Sequence, residues 1–182
     1  ESDGKPMGET EVHILQLIDL LFALRDFFRN ALDVYVGGDM LLYFVEGDPT
    51  QFVVPDLFVA RRVPKQPMRR TFKIWQEGKA PDVVIELTSS STRREDLGNK
   101  RAVYEELGVS EYFVFDPLGE YLNPPLRGFR LVDGIYSPLA GEPLKSESLG
   151  LELRVQEKRL RLYDPERGKY LPTPDETKVR AE

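Results

Sequence analysis

The chain contains no cysteine and a single histidine, His13. The first absence excludes a disulfide framework, a thiolate zinc site and a cysteine nucleophile. The second excludes histidine-rich metal sites and argues against a serine–histidine triad. No apolar run approaches the roughly 18 residues of a membrane helix. Glu1-Ser2-Asp3-Gly4-Lys5 has none of the apolar character of a signal-peptide core. An intracellular, cytoplasmic setting is the expectation. Internal repeats and low-complexity tracts are also missing. The remaining composition, 41% hydrophobic and 31% charged over 182 residues, suits one soluble domain able to bury a sizeable core.

The net charge of −6 speaks against wholesale electrostatic binding to nucleic acid. The charge is nevertheless uneven. Between Arg61 and Arg101 stand eleven Lys/Arg against five Asp/Glu, leaving the rest of the chain strongly acidic. A basic middle on an acidic protein is what a localised DNA-phosphate-binding face looks like, although scattered solvated cations give the same count.

Apolar positions Ile14, Leu17, Ile18, Leu21, Phe22, Leu24 and Phe28 follow the 3.6-residue period and predict a helix over residues 8–30, with Thr10 as N-cap. Glu9 and Glu11 near its start complement the helix dipole or serve a site. Two apolar runs, 34–36 and 40–45, flank Gly37-Gly38-Asp39 and predict a hairpin. A third strand follows over 53–60, starting at or just after Pro55. Residues 61–78 read as a connecting excursion whose aromatics, Phe72 and Trp75, tuck onto the core while its charges stay wet. Stacking of Trp75 on a base is the alternative.

A strand over 82–88, a helix capped by Thr92 with Glu95 and stopped at Gly108, and a strand over 111–116 form a βαβ unit. Beyond Pro117 the pattern turns to hairpins, one at Asp133-Gly134 and another over 151–163, with a polar tail from Pro172 for which disorder is the expectation. The organisation expected is an α/β (α+β) core over residues 1–120 with a C-terminal antiparallel β-hairpin extension of the same domain over 121–182.

Glu86 lies inside the apolar run Val83-Val84-Ile85-Glu86-Leu87. Burying an ionised carboxylate costs several kcal/mol unless a cation or metal meets it. Asp82, four residues away on the same strand, would stand about 13 Å off and cannot share a metal with it. Asp56 can, if its strand is a neighbour. Two such acids make an oxygen-rich site suited to Mg²⁺ or Mn²⁺, which would activate water and polarise a phosphoryl oxygen. A nearby ammonium, from Lys100, would stabilise the developing charge. Lys100 could equally pair with Asp96 one turn back.

Pro55-Asp56 followed at a distance by Glu86 resembles the PD-(D/E)XK nuclease pattern. Three segments together, residues 4–10 with His13, Pro55-Asp56, and the run from Pro81 to Pro117, resemble the Uma-type restriction endonuclease family. The most specific part is Glu86-Leu87-Thr88-Ser89-Ser90-Ser91-Thr92 with Asp96, Lys100, Tyr104, Gly108-Val109 and Glu111-Tyr112. The resemblance implies a restriction-endonuclease-like mixed central sheet flanked by helices and a metal-dependent DNA nuclease. It puts Asp56 and Glu86 in the place of the motif acids and Glu9 in that of the first-helix acid. Thr88 stands where the superfamily has its lysine, and Lys100 would substitute.

Two alternatives of other classes stay open. One is a catalytically degenerate nucleic-acid- or protein-binding module on the same fold; the other is a homodimeric structural protein. Ser89–Ser91 at the helix start and Arg93, Arg94 and Arg101 are further candidates for phosphate contacts.

Overall fold

The structure is a computed structural model that describes residues 10–181. In chain order it contains α1 (Glu11–Phe27), β1 (Val34–Gly38), β2 (Leu42–Tyr43), β3 (Phe52–Val53), β4 (Leu57–Arg61), β5 (Phe72–Lys73), α2 (Ile74–Glu77) and β6 (Val83–Leu87). A π-helical turn (Glu95–Asn99) leads into α3 (Lys100–Leu107), followed by β7 (Glu111–Phe115), β8 (Leu126–Val132) and β9 (Ile135–Pro138). The last part holds β10 (Leu144–Ser146), β11 (Leu151–Gln156), β12 (Arg159–Asp164), β13 (Lys169–Tyr170) and α4 (Pro174–Ala181).

A six-stranded sheet in the order β1-β4-β6-β7-β8-β9 divides the molecule. It is mixed: β6 and β7 run parallel through the βαβ crossover, and every other neighbour is antiparallel. Strand β6 is buried along its whole length, because both faces of the sheet are covered. Val83, Ile85 and Leu87 face α1 and a four-stranded sheet, β10-β11-β12-β13. Val84 points the other way, into a core shared with Tyr104 and a three-stranded sheet, β3-β2-β5. Glu86, two residues on, shares Val84's side of the strand. Among the described residues no helix is long and apolar enough to cross a membrane.

The βαβ unit, the stop at Gly108 (φ 83°) and the turn at Asp133-Gly134 stand where the sequence places them. Four expectations are corrected. β8 and β9 extend the central sheet instead of joining a C-terminal appendage. The polar tail holds a helix, α4. The glycine pair at 37–38 is no hairpin turn: both lie inside β1, which pairs with β4, while β2 belongs to the small sheet. Glycine is required at 37 because the Phe58 ring lies across it, and a Cβ there would come within 2.4 Å of the ring.

The fourth correction concerns α1. Leu17, Leu21, Leu24 and Phe28 pack on the core as the period predicts, but the buried face also takes His13, Gln16, Leu20 and Ala23, whereas Ile14 and Ile18 are exposed. Polar contacts fix this face. The Gln16 carboxamide accepts from Leu160 N–H at 2.9 Å and donates to Leu160 C=O at 3.1 Å, completing the hydrogen bonding at the start of β12. Thr10 caps the helix as expected, accepting from His13 N–H.

Gly37→Ala forces the methyl group into the Phe58 ring. It is expected to lower stability by about 1–3 kcal/mol, the usual penalty of overpacking, read as a drop in the urea midpoint.

Candidate active site

The antiparallel ladder between β4 and β6 ends at Leu57↔Ile85. The next pair in register is Asp56 and Glu86. Pro55, without an N–H, closes off the ladder on the β4 side. At this point side chains take over from backbone acceptors. Asp56 N–H donates to Glu86 Oε1 at 2.5 Å, and Leu87 N–H donates to Asp56 Oδ2 at 2.7 Å. Each acid therefore holds the other's strand, and the two carboxylates converge. On its other flank, Asp56 C=O accepts from Asp39 N–H just past the end of β1.

Glu86 is fully buried, at 0% exposure. Its second oxygen, Oε2, meets Lys100 Nζ at 2.5 Å and accepts from Tyr104 OH at 3.4 Å. Lys100 also donates to Val54 C=O at 2.8 Å, which ties α3 to the segment leading into Asp56. The π-helical turn explains why Lys100 reaches the strand instead of Asp96. Lys100 N–H bonds back five residues, to Glu95 C=O. The wider turn removes the regular one-turn stacking of residues 96 and 100. From there Lys100 and Tyr104, four apart on one helix face, both aim at Glu86.

Burial, and then the negative charge of Asp56, push the Glu86 carboxyl up to about 8, with Lys100 offsetting part of the rise. Burial alone would lower the Lys100 ammonium, but the pull of Glu86, Asp56 and Asp96 leaves it raised. Burial thus favours a protonated Glu86 beside a charged Lys100.

Thr88, in the place of the superfamily lysine, is buried and held on several sides. Its N–H donates to Phe115 C=O, its C=O lies 3.1 Å from His13 Nε2, and its hydroxyl lies 2.6 Å from Tyr121 OH. His13 hence pins the first turn of α1 to the end of β6, with Thr10 Oγ1 against its other ring nitrogen. Beside Thr88 sits Asp96, which accepts from Thr92 Oγ1 at 2.8 Å. Its carboxyl is raised by burial against the hydrogen bonds of Thr88 and Thr92.

Of the expected site residues, Asp56, Glu86 and Lys100 come together, and Glu9 lies outside the described residues. Asp82 sits at the far end of β6, bound by Lys79 and the Arg61 amide. The capping box is corrected: Thr92 bonds Asp96, and Glu95 bonds Asn99. The turn that was to offer phosphate donors is occupied, with Ser90 N–H donating to Glu120 Oε1 at 3.0 Å. Six of the eleven cations in the basic segment are half-buried and spent on the protein's own groups. Lys65 binds the Phe28 and Arg29 carbonyls at the end of α1, Arg69 pairs with Glu77, and Arg101 lies over the Phe129 ring. The exposed cations that remain are Arg70, Lys73, Arg93 and Arg94, with Arg62 loosely paired to Asp82. Trp75 is not tucked onto the core; it stands 38% exposed. Tyr104, Tyr121 and Thr88 are partners of the site that sequence reasoning assigned no role. The polar side chains spaced along 88, 92 and 96 were the available signal.

A carboxyl that sits near 8 in the folded state and near 4.5 in the unfolded chain binds its proton more tightly when folded. Its contribution to stability is full below about pH 4.5 and is lost as pH rises through 8, at up to ~1.4 kcal/mol per pH unit. Glu86→Gln keeps the volume and stays neutral. Urea unfolding is expected to show the variant gaining on the wild type between pH 5 and pH 9; a constant difference across that range would contradict the protonated Glu86.

Among curated proteins no relative matches the chain. A solved structure from Anabaena variabilis, described as "a putative nuclease belonging to DUF820", is similar with a TM-score of 0.58 at 16% identity, over 81% of this chain and 80% of that one. At that identity the likeness is one of fold. A family model described as "Putative restriction endonuclease" matches residues 4–180, and on that match the chain belongs to the Uma2 family.

Proposed function

We propose that the protein is a Mg²⁺-dependent endonuclease that hydrolyses DNA phosphodiester bonds. The observation that carries this reading is the meeting of Asp56, Glu86 and Lys100 at the end of the β4–β6 ladder. Family membership and the fold of the Anabaena protein support the same direction. The donor set fits the metal: Asp56 and Glu86 supply hard oxygen ligands, Glu86 giving up its proton when the ion binds, and Mg²⁺ usually takes one or two such ligands and keeps several waters. Among the described residues no cluster of three or more metal-ligating side chains occurs, so the ion would be held by these two acids and by water. Bound there, the ion would supply Lewis acidity toward a phosphoryl oxygen and acidify a water.

The chain's own residues do the remainder. Asp56 and Glu86 fix each other through the ladder-end hydrogen bonds, so neither needs to reorganise far. Lys100, kept charged by its acidic neighbours, sits where negative charge on a phosphate would build up. Tyr104 and the Asp56 amide hold Glu86 in one orientation. The reading of a degenerate binding module is favoured by one observation: Thr88 in the lysine place is locked into a hydrogen-bond network.

Supercoiled plasmid with Mg²⁺ or Mn²⁺ separates the two. Lys100→Met is expected to slow nicking on the order of 10²–10³-fold while leaving Mn²⁺ binding, measured by calorimetry, in place. Asp56→Ala is expected to abolish both. Absence of nicking in the wild type, or nicking that survives both substitutions, rejects the enzyme at this site.

A further inference from the structure

The small sheet β3-β2-β5 has an inner and an outer face. Leu42, Val53 and Phe72 point inward and are buried. The register then sets Phe52, Tyr43 and Lys73 side by side across the outer face, since Tyr43 pairs with Phe52 on one side and with Lys73 on the other. An outward face of this kind is ordinarily polar. Here Phe52 is 47% exposed, with its ring centroid 6.0 Å from that of Tyr43. Trp75, on the short helix that follows β5, joins Tyr43 and Lys73 in lining a recess of about 440 Å³. Asp48, an acid in that wall, is turned onto Thr50, accepting from its N–H at 3.1 Å and its hydroxyl at 2.5 Å. Arg70 and Lys73 add exposed positive charge at the β5 side.

The position of this surface matters as much as its composition. Phe52 is four residues from Asp56, at most about 14 Å of extended chain. The intervening Val54 carbonyl is the one that receives Lys100. We propose that the outer face of this sheet is a stacking platform for unpaired bases of the DNA strand, a few nucleotides from the bond that is cut. Phe52, Tyr43 and Trp75 take base faces, and Lys73 takes a backbone phosphate. Phe52 and Trp75 are the exposed rings, with half-buried Tyr43 edge-on to Phe52 between them and a cation beside, a set that matches a nucleic-acid strand better than an apolar protein surface. Stacking requires bases out of the duplex, so the substrate is single-stranded, frayed or branched at this point. The inference rests on the nuclease reading and narrows its substrate.

Trp75 is the sole tryptophan, so its emission reports directly on the platform. With metal chelated by EDTA to prevent cleavage, an oligothymidylate is expected to quench this emission saturably. Phe52→Ala is expected to weaken binding of the labelled strand on the order of ten- to a hundredfold, the range for loss of one stacked base. Phe52→Leu, which preserves the apolar strand, is expected to show most of the same loss, and circular dichroism checks that both variants are folded. Strand binding without quenching, equal affinity in the Phe52 variants, or no binding at all would each overturn the platform. So would equal, Phe52-dependent binding of a blunt duplex of mixed sequence. If strands do not bind but an unrelated protein surface protects Trp75, the face belongs to a protein partner and the proposal fails. Plasmid nicking is read separately: cleavage without stacking removes only the platform, and stacking without cleavage removes only the nuclease.

Discussion

A carboxylate buried without compensation would unfold a domain of this size, and Glu86 is the residue on which that problem falls. The chain solves it with one backbone amide, one ammonium, one phenol and a proton. The partners arrive from two parts of the fold. The Asp56 amide comes from the antiparallel neighbour, and Lys100 and Tyr104 come from the crossover helix. Sheet pairing, helix placement and the ionisation of one acid are thus a single constraint. The ladder-end exchange, in which each acid accepts from the opposite strand, makes the site and the edge of the β4–β6 pairing the same object.

The surroundings of Thr88 show a second use of polarity. A buried polar network is stabilising only when its members are satisfied. Here His13, Tyr121, Thr92 and Asp96 close around the residue that follows the Glu86–Leu87 pair. The network ties α1, the start of the crossover helix and the loop after β7 to the end of β6. The residue in the place of the superfamily's lysine is thus held by hydrogen bonds from three directions.

The sequence was legible where local chemistry and tertiary context agreed. Val83 to Leu87 could only be an interior strand, Gly108 only a helix end, and Asp133-Gly134 only a tight turn. The expense of Glu86 pointed to a partner, and the exclusion of Asp82 by distance left Asp56. It was illegible where one residue type answers two physical needs. Gly37-Gly38 signals a turn as readily as a ring pressed onto a strand, and only the position of Phe58 decides. The periodicity of α1 placed Leu17, Leu21, Leu24 and Phe28 on the core, but it could not show that His13 and Gln16, bonded to Thr88 and Leu160, share that face while Ile14 and Ile18 stay exposed. The cations of the middle segment could be counted but not assigned, since nothing local says that Lys65 caps α1 or that Arg69 meets Glu77.

The π-helical turn ahead of α3 has a consequence for how such proteins are recognised. Supplying the ammonium from a helix separates it from the strand acid by fourteen positions of chain, so a search for adjacent letters passes over the pair. The length of the crossover, and the one-residue widening that aims it, decide where the cation points. An insertion or deletion within 87–99 would leave every reactive group intact and still point the cation away from its acid.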